Sequence, residues 1–182
     1  EAHGEAFAAG HRGVGVAAPT GSGKSAIAVT PAREARSAYI LTGQKILQDQ
    51  YVRDFPDLAV MKGRSNYPCL VIDSHAAAAP CIVGKRFPVC ENCPYFTAKD
   101  VAMAAANVTL NYAYYLAELN YGGGFGEREL LVLDEAHNAE VALLAFAQVG
   151  LTDLDLTRVG LARRFPPPPA VEAYFEFAET LS

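Results

Sequence analysis

Ala18-Pro-Thr-Gly-Ser-Gly-Lys-Ser25 is the stretch of this 182-residue sequence that decides the fold. It follows a short apolar run, residues 14–17, which we interpret as a buried strand, and a helix is expected to open near Lys24. Small residues let successive backbone N–H groups curl around phosphate oxygens, and the helix N-terminus adds partial positive charge. The usual pattern has glycine where this chain has Ala18. The spacing predicts a phosphate-binding loop, with candidate nucleotide-binding residues Pro19, Thr20, Gly21, Ser22, Gly23, Lys24 and Ser25.

Two residues of this loop have specific predicted roles. We expect the Lys24 ammonium group to reach the β- and γ-phosphates of a bound nucleotide, and the Ser25 hydroxyl to be a ligand of Mg²⁺. ATP and Mg²⁺ are therefore the predicted cofactors. Glycine-rich turns between a strand and a helix also occur without ligands, but here Lys-Ser follows at the spacing that phosphate binding needs.

A second group of candidate residues follows the apolar residues 130–133, which predict a strand buried on both faces of a parallel sheet. Asp134 and Glu135 come directly after it, at the edge where ligands bind in open parallel sheets. Asp134 is predicted to hold Mg²⁺, directly or through water, and Glu135 to orient or deprotonate the attacking water. His137 is a weaker candidate, because a lone histidine is more often structural. The candidate catalytic residues are Lys24, Asp134, Glu135 and His137.

Alternating apolar runs and helical patterns predict an α/β fold with a parallel sheet flanked by helices. The predicted strands are residues 14–17, 39–41, 58–61, 108–110 and 130–133. The predicted helices after the first are residues 44–55, 98–106, 113–119 and 139–148. Pro31 should stop or kink the helix that opens near Lys24. Residues 63–94 lack periodicity and predict an irregular insert.

Composition limits the classes of protein to which the chain can belong. It is 51% hydrophobic and 19% charged, which is typical of a folded globular protein. No apolar run reaches membrane-spanning length and no signal peptide is evident, so we expect a cytoplasmic or nucleoid-associated protein with no membrane partner. The net charge of −5 by itself argues against nucleic-acid binding. Residues 62–99, however, hold five basic and two acidic residues, a net charge of +3, so the rest of the chain carries −8. A locally basic segment in an acidic chain is consistent with a nucleic-acid contact and equally with a solvated surface patch.

All four cysteines fall within this basic segment, spaced C-x11-C-x8-C-x2-C. Without a secretion signal a disulfide framework is disfavoured, and a metal site is the leading interpretation. Four thiolates can hold either tetrahedral zinc or an iron–sulfur cluster. The spacing alone leaves both open. The candidate ligands are Cys69, Cys81, Cys90 and Cys93.

Several stretches together resemble the first motor domain of DEAH-type superfamily-two helicases, specifically the XPD/DinG-like iron–sulfur DNA helicases. Besides the phosphate-binding loop and Asp-Glu-Ala-His at 134–137, they are YILTGQKILQDQ (39–50), MKGRSNYPC (61–69), CPYF (93–96) and LNY (110–112). The resemblance covers residues 14–140. It is carried by the combination of motifs, which is far more specific than any one of them.

This resemblance implies a RecA-like P-loop domain that translocates 5′→3′ on single-stranded or forked DNA, with a 4Fe-4S cluster held by the four cysteines. It implies that His137 couples the ATP state to the rest of the motor. Thr42 and Gln44 fall in a motif expected to touch the DNA backbone, although Gly43 replaces a usual proline there.

The resemblance also predicts a domain organisation. Residues 1–61 and 98–150 would form the first motor domain, residues 62–97 the cluster insert, and residues 151–182 a proline-rich connector and the start of a second insert. A second RecA-like domain, which normally supplies arginine fingers, is the expected partner. Residues 1–13 hold no glutamine for reading adenine. We therefore expect weak ATP binding and poor turnover by these 182 residues alone.

Some interpretations stay open on sequence alone. Tyr67, Tyr95 and Phe96 could stack on unpaired bases or simply pack around a cluster. The chain could instead be the P-loop ATPase of a nuclease or repair complex with a zinc-binding insert. It could also be a non-catalytic DNA-binding module, although intact Lys24 and Glu135 argue against a degenerate motor.

Overall fold

The computed structural model of the chain describes residues 5–7, 9–19, 21–85 and 87–148. Two compact units are distinguished, Glu1–Phe146 and Ala147–Ser182. Only the first is described below, so the predictions for residues 151–182 lie outside the described residues, as does Thr20 of the phosphate-binding loop. No helix in the described part of the chain is long and apolar enough to cross a membrane.

A parallel sheet organises the first unit. Its strands, in spatial order, are β2 (Ala59–Met61), β3 (Asn107–Asn111), β1 (Ala38–Thr42) and β4 (Leu130–Leu133). β1 pairs in parallel with β3 on one side and β4 on the other, so Leu41 lies between Leu110 and Leu133. β2 pairs with the far side of β3, also in parallel. The carboxyl ends of all four strands therefore meet at one edge of the sheet.

Helices connect the strands, which confirms the predicted α/β fold. They are α1 (Lys24–Glu34), α2 (Lys45–Asp54), α3 (Pro94–Ala104), α4 (Tyr112–Ala117), which continues as a π-helical turn (Glu118–Gly122), and α5 (His137–Ala147). The short α4 begins at Asn111, whose side-chain carbonyl accepts a hydrogen bond from the Tyr114 N–H at 2.7 Å. Such a cap satisfies one of the donors that the first helical turn leaves free.

The two faces of β1 belong to two separate hydrophobic cores. Ile40 packs with Val29 of α1 and Tyr51 of α2 on one face. Tyr39 and Leu41 pack on the opposite face, in a larger core that includes α3 and α4. All five residues of β1 are buried. This strand is therefore the central element of a sheet with helices on both sides.

Two sequence-based expectations about strands were wrong. Residues 14–17 do not form a strand, and Val14 and Val16 are 38% and 56% exposed. β4 is not buried on both faces, since Leu131 and Leu133 are 45% and 43% exposed. Among the described residues no strand lies beyond β4, so β4 is an edge strand of the sheet, and the face that carries Leu131 and Leu133 is incompletely covered.

Of the two predicted effects of Pro31, a stop or a kink in the helix, the stop does not occur. α1 does not stop there but runs on to Glu34, and the Ala35 N–H donates to the Pro31 carbonyl at 3.0 Å. A proline inside a helix loses one backbone hydrogen bond and costs about 3 kcal/mol. Burial of Val29 and Ala32 in the core beside β1 stabilises the helix. This packing outweighs the low helix propensity of proline.

The segment between β2 and α3 is irregular, as predicted. It contains four short 3₁₀ turns, Arg64–Asn66, Ala76–Ala78, Pro80–Val83 and Pro88–Asn92. An isolated antiparallel bridge joins Pro68 and His75. α3 begins at Pro94, directly after the last cysteine of the segment.

A buried ion pair fastens α3 to the π-helical turn. Lys99 Nζ lies 2.7 Å from Glu118 Oε2, and the two side chains are only 15% and 9% exposed. Replacing Lys99 with methionine leaves the Glu118 carboxylate buried without its partner, so we expect the free energy of unfolding to fall by about 3 kcal/mol.

Chemical denaturation measures this change. Arg53→Met is the matched control, because it removes an exposed ion pair with Asp54 and should leave stability unchanged within error. Equal stability of the Lys99 variant and the wild type would show that this pair contributes nothing net.

Candidate functional site

The phosphate-binding loop adopts a conformation that requires its glycines. Gly21 and Gly23 have φ of +80° and +79°, in the left-handed region that side chains disfavour. Between them, Ser22 Oγ donates to the Pro19 carbonyl at 2.7 Å, closing a tight turn. Gly23 is the N-cap of α1, so Lys24 and Ser25 are its first residues. The first N–H groups of that helix are oriented to meet an anion.

The acidic pair lies where the sequence predicted, after β4. The Asp134 N–H donates to the Leu41 carbonyl at 2.9 Å, which extends the β1–β4 pairing by one bond. Glu135 follows with φ of +51°, the one non-glycine residue with positive φ in the described chain. Such a backbone conformation is uncommon outside glycine and concentrates at functional sites.

Tyr51 links the loop and the acidic pair, and the sequence reasoning missed it. Its hydroxyl donates to Asp134 Oδ2 at 2.9 Å and also interacts with the Ser25 side chain. Burial, chiefly, and then the negative charge of Asp134 raise the pKa of Tyr51 well above its usual value. Tyr51 is only 1% exposed, and its helical spacing with Leu47 and Phe55 indicated a core residue. The two predicted Mg²⁺ ligands thus meet at one phenol.

A second tyrosine holds the same turn from the other side. Tyr112, the first residue of α4, donates its hydroxyl to the Asp134 carbonyl at 2.9 Å. Burial, followed by the charges of Asp134 and Glu135, raises the pKa of Tyr112 to about 12. The Tyr112 hydroxyl therefore stays protonated at neutral pH and remains a donor.

Glu135 also has a partner that the sequence did not suggest. Asn138, in the first turn of α5, donates its side-chain amide to Glu135 Oε2 at 3.1 Å. The same amide nitrogen would lie 2.9 Å from a Cβ placed at position 43. A side chain at position 43 would therefore require the Asn138 side chain to shift. His137 is exposed at the start of α5.

A groove opens at the carboxyl ends of β1 and β3, with a cavity volume of about 360 Å³. Gln44 and Lys45 line it on one side and Asn111 and Asn138 on others. Gln44 and Lys45 are exposed, whereas Thr42 is fully buried and donates its hydroxyl to the Gln44 carbonyl at 3.1 Å. The expectation that Thr42 contacts DNA is therefore wrong, because it lies inside the sheet. Gln44 is exposed, and its contact with DNA stays a prediction.

The four cysteines line one cavity in the irregular segment, and none forms a disulfide. Its other walls are mainly apolar, and the Val71 N–H donates to Cys69 Sγ at 3.4 Å. Among the described residues, no three Cys, His, Asp or Glu side chains gather closely enough to hold one metal ion. The cavity volume is only about 10 Å³, so binding a metal group here requires the surrounding turns to move outward.

The aromatic residues of this segment are mostly committed to packing. Tyr95 is 2% exposed, and the Arg64 guanidinium lies 4.3 Å from its ring centroid. Arg64 Nη1 also approaches Cys81 Sγ at 3.7 Å. Tyr67 packs edge-on against Tyr95, with ring centroids 5.7 Å apart. Of the two hypotheses left open by the sequence, packing rather than base stacking describes Tyr95.

Known proteins match this chain in part. A DEAD_2 family model matches residues 83–156. The ATP-dependent DNA helicase YoaA of Escherichia coli (strain K12) is 28% identical to it, over 73% of this chain and 31% of that protein. The chain therefore spans about a third of the length of the curated relative it matches.

Removing the Tyr51 hydroxyl tests the link between the loop and the acidic pair. We expect Tyr51→Phe to lower the free energy of unfolding by about 1.5–3 kcal/mol, the usual contribution of a hydrogen bond to a charged group. Tyr121→Phe is the control, because Tyr121 is 83% exposed.

The same variants differ in their response to alkaline pH. Because the folded-state pKa of Tyr51 is raised, its stabilising contribution is complete below about pH 10 and is lost as pH rises above that value. Urea unfolding at several pH values should show a shallower alkaline loss of stability for Tyr51→Phe than for Tyr121→Phe. If the unfolding free energy depends on pH in the same way in both variants, Tyr51 is not a buried tyrosine with a raised pKa.

Proposed function

Because these motifs and relatives support a DEAH-type superfamily-two helicase motor, we propose that the chain binds Mg-ATP and single-stranded DNA as the first motor domain of an ATP-dependent 5′→3′ DNA helicase. The observation that carries the proposal is the Tyr51 hydroxyl, which contacts Asp134 and interacts with Ser25. A loop and an acidic strand end that are more than a hundred residues apart in sequence thus converge on one point.

Each residue of this site has a role in the proposal. Lys24 neutralises the β- and γ-phosphates, while Ser25 and Asp134 are the residues that would hold Mg²⁺. When bound, Mg²⁺ would supply charge neutralisation on the phosphate oxygens.

The remaining polar groups would act on the attacking water and on the metal ligand. Glu135 orients the water for in-line attack and accepts its proton. Tyr51 and Tyr112 hold Asp134 by its side chain and its backbone carbonyl, so the carboxylate stays in one orientation. His137 lies at the start of α5, from which it would couple the ATP state to the rest of the motor.

The groove at the carboxyl ends of β1 and β3 is the proposed contact for single-stranded DNA. The backbone phosphates need cationic side chains and N–H donors, and Lys45 opens α2 at the rim of this groove. Gln44 and Asn111 offer amide groups for sugar and phosphate oxygens. The turn between β4 and α5 lies between the groove and the nucleotide site. Ligands bound at the two sites would therefore both contact this turn.

The cysteine-lined cavity is the proposed 4Fe-4S site. Zinc requires four sulfur atoms at about 2.3 Å from a single point. A 4Fe-4S cluster carries a separate iron for each thiolate, so its ligands stand further apart. The observation that supports a metal site is that all four cysteines line one cavity, and the resemblance to iron–sulfur helicases favours a cluster there over zinc. When bound, the cluster would supply a rigid centre for the surrounding 3₁₀ turns.

We further propose that turnover requires a second RecA-like domain, because arginine fingers normally come from such a partner. The chain alone should bind nucleotide weakly and hydrolyse it slowly.

Two lysine variants separate the nucleotide site from the DNA groove. Lys24→Ala should weaken Mg-ATP binding by about tenfold or more and leave DNA affinity unchanged, because it removes a charged contact to phosphate. Lys45→Ala should weaken DNA binding and leave the affinity for Mg-ATP unchanged. Calorimetry with Mg-ATP and fluorescence anisotropy with oligothymidylate measure the two affinities. If Lys24→Ala changes neither, the chain is a non-catalytic binding module.

Metal analysis tests the cluster site. Anaerobically purified chain should hold about four irons, absorb visible light, and lose both properties in Cys90→Ser. His75→Ala is the control and should keep its iron, because His75 does not line the cavity. Colourless protein that holds stoichiometric zinc would contradict the cluster and show that the insert binds zinc.

A further inference from the structure

Asn138 stands between the two proposed sites and touches both. Its amide nitrogen donates to Glu135 Oε2 at 3.1 Å. Its side chain also lines the groove together with Gln44 and Lys45. Neither the matches to known proteins nor the motif assignments give Asn138 a role.

The fit around Asn138 is tight on the groove side. A Cβ at position 43 would lie 2.9 Å from the Asn138 amide nitrogen and 3.3 Å from its Cβ and Cγ, closer than side chains normally approach. Gly43 therefore creates the space that this amide fills. Asn138 consequently lies between the exit of β1 and the carboxylate of Glu135, on the wall of the groove.

The bond to Asn138 occupies part of the carboxylate that the reaction needs. A carboxylate has a limited number of acceptor positions, and a donor on Oε2 occupies one of them and fixes the rotation of the group. Glu135 is already in an uncommon backbone conformation, with φ of +51°. The hydrogen bond from Asn138 is a side-chain contact that fixes the orientation of its carboxylate.

We propose that Asn138 is a positioning residue that restrains Glu135 while the groove is empty and releases it when single-stranded nucleic acid occupies the groove. A phosphate or sugar oxygen in the groove is an acceptor that competes with Glu135 for the Asn138 amide. Once the amide turns to that acceptor, Glu135 is free to orient the attacking water. This inference rests on the proposed function, since it assumes that Glu135 acts on water and that the groove takes DNA.

The first test follows the Asn138 side-chain amide by NMR and needs no turnover. The resonance is assigned by its absence in Asn138→Ala. It should shift in Glu135→Gln, which weakens the acceptor, and it should shift in the wild-type chain when oligothymidylate is added. Asn120→Ala serves as the spectral control, because Asn120 donates to a local backbone carbonyl on an exposed turn.

The outcomes of the titration are distinguishable. If oligothymidylate moves the backbone amides of Gln44 and Lys45 but not the Asn138 side chain, DNA binding stands and the link is overturned. An Asn138 amide that ignores Glu135→Gln also overturns the link. If no groove resonance moves, both the groove assignment and the link are wrong, whereas nucleotide binding at Lys24 is unaffected.

The second test measures ATP turnover with and without oligothymidylate. Asn138→Ala should raise the DNA-free rate by roughly three- to tenfold and leave the DNA-bound rate nearly unchanged, so stimulation by DNA falls. Gly43→Ala should act in the same direction, because its Cβ displaces the amide. A merely structural role would lower both rates together, and that result overturns the proposal.

Asn120→Ala keeps the wild-type ratio of the two rates if the effect is specific to Asn138. Absence of turnover in both the wild type and Asn120→Ala agrees with the proposed need for a second RecA-like domain, and the NMR titration then decides the link independently.

Discussion

The parallel pairing of β1 with β3 and β4 is the constraint on which the rest of the structure depends. It fixes the direction of all three strands, so the residues that follow each of them emerge at one edge. Gly43 and Gln44 follow β1, Tyr112 follows β3 and Asp134 follows β4. If one of these strands were reversed, the residues that follow it would emerge at the opposite edge of the sheet. Burial of β1 on both faces makes that arrangement costly to change.

The local patterns in the sequence predicted all four strands of the sheet but not that β4 lies at its edge. Strands β1 to β4 and the helices between them follow from apolar periodicity, because burial repeats with the geometry of each element. Residues 14–17 have the same apolar character, yet Val16 is 56% exposed. Periodicity indicates that a segment could be buried and does not say which neighbour would bury it. The same limit explains the overestimated burial of Leu131 and Leu133.

The candidate site was predicted as a set of motifs, not as a network. The phosphate-binding loop and the acidic pair are recognisable because their chemistry demands particular residues at fixed spacing. Tyr51 and Asn138 have no such signature. A tyrosine on the apolar face of a helix indicates a core residue, and an asparagine near the start of a helix indicates a capping residue. Their roles arise from contacts between distant segments, such as Tyr51 with Asp134, which only the folded chain defines.

The exposed side of β4 has a consequence for how the chain behaves in solution. In the described part of the chain no strand pairs with that edge, so its backbone N–H and C=O groups are a template for another strand. Leu131 and Leu133 expose apolar side chains on one face of this edge strand, and β4 contains neither lysine nor proline, the residues that commonly protect an edge. Edge-to-edge pairing between two molecules depends on the square of concentration. The chain should therefore stay monomeric longer in dilute than in concentrated solution. A strand of the same molecule that paired with β4 would prevent this association.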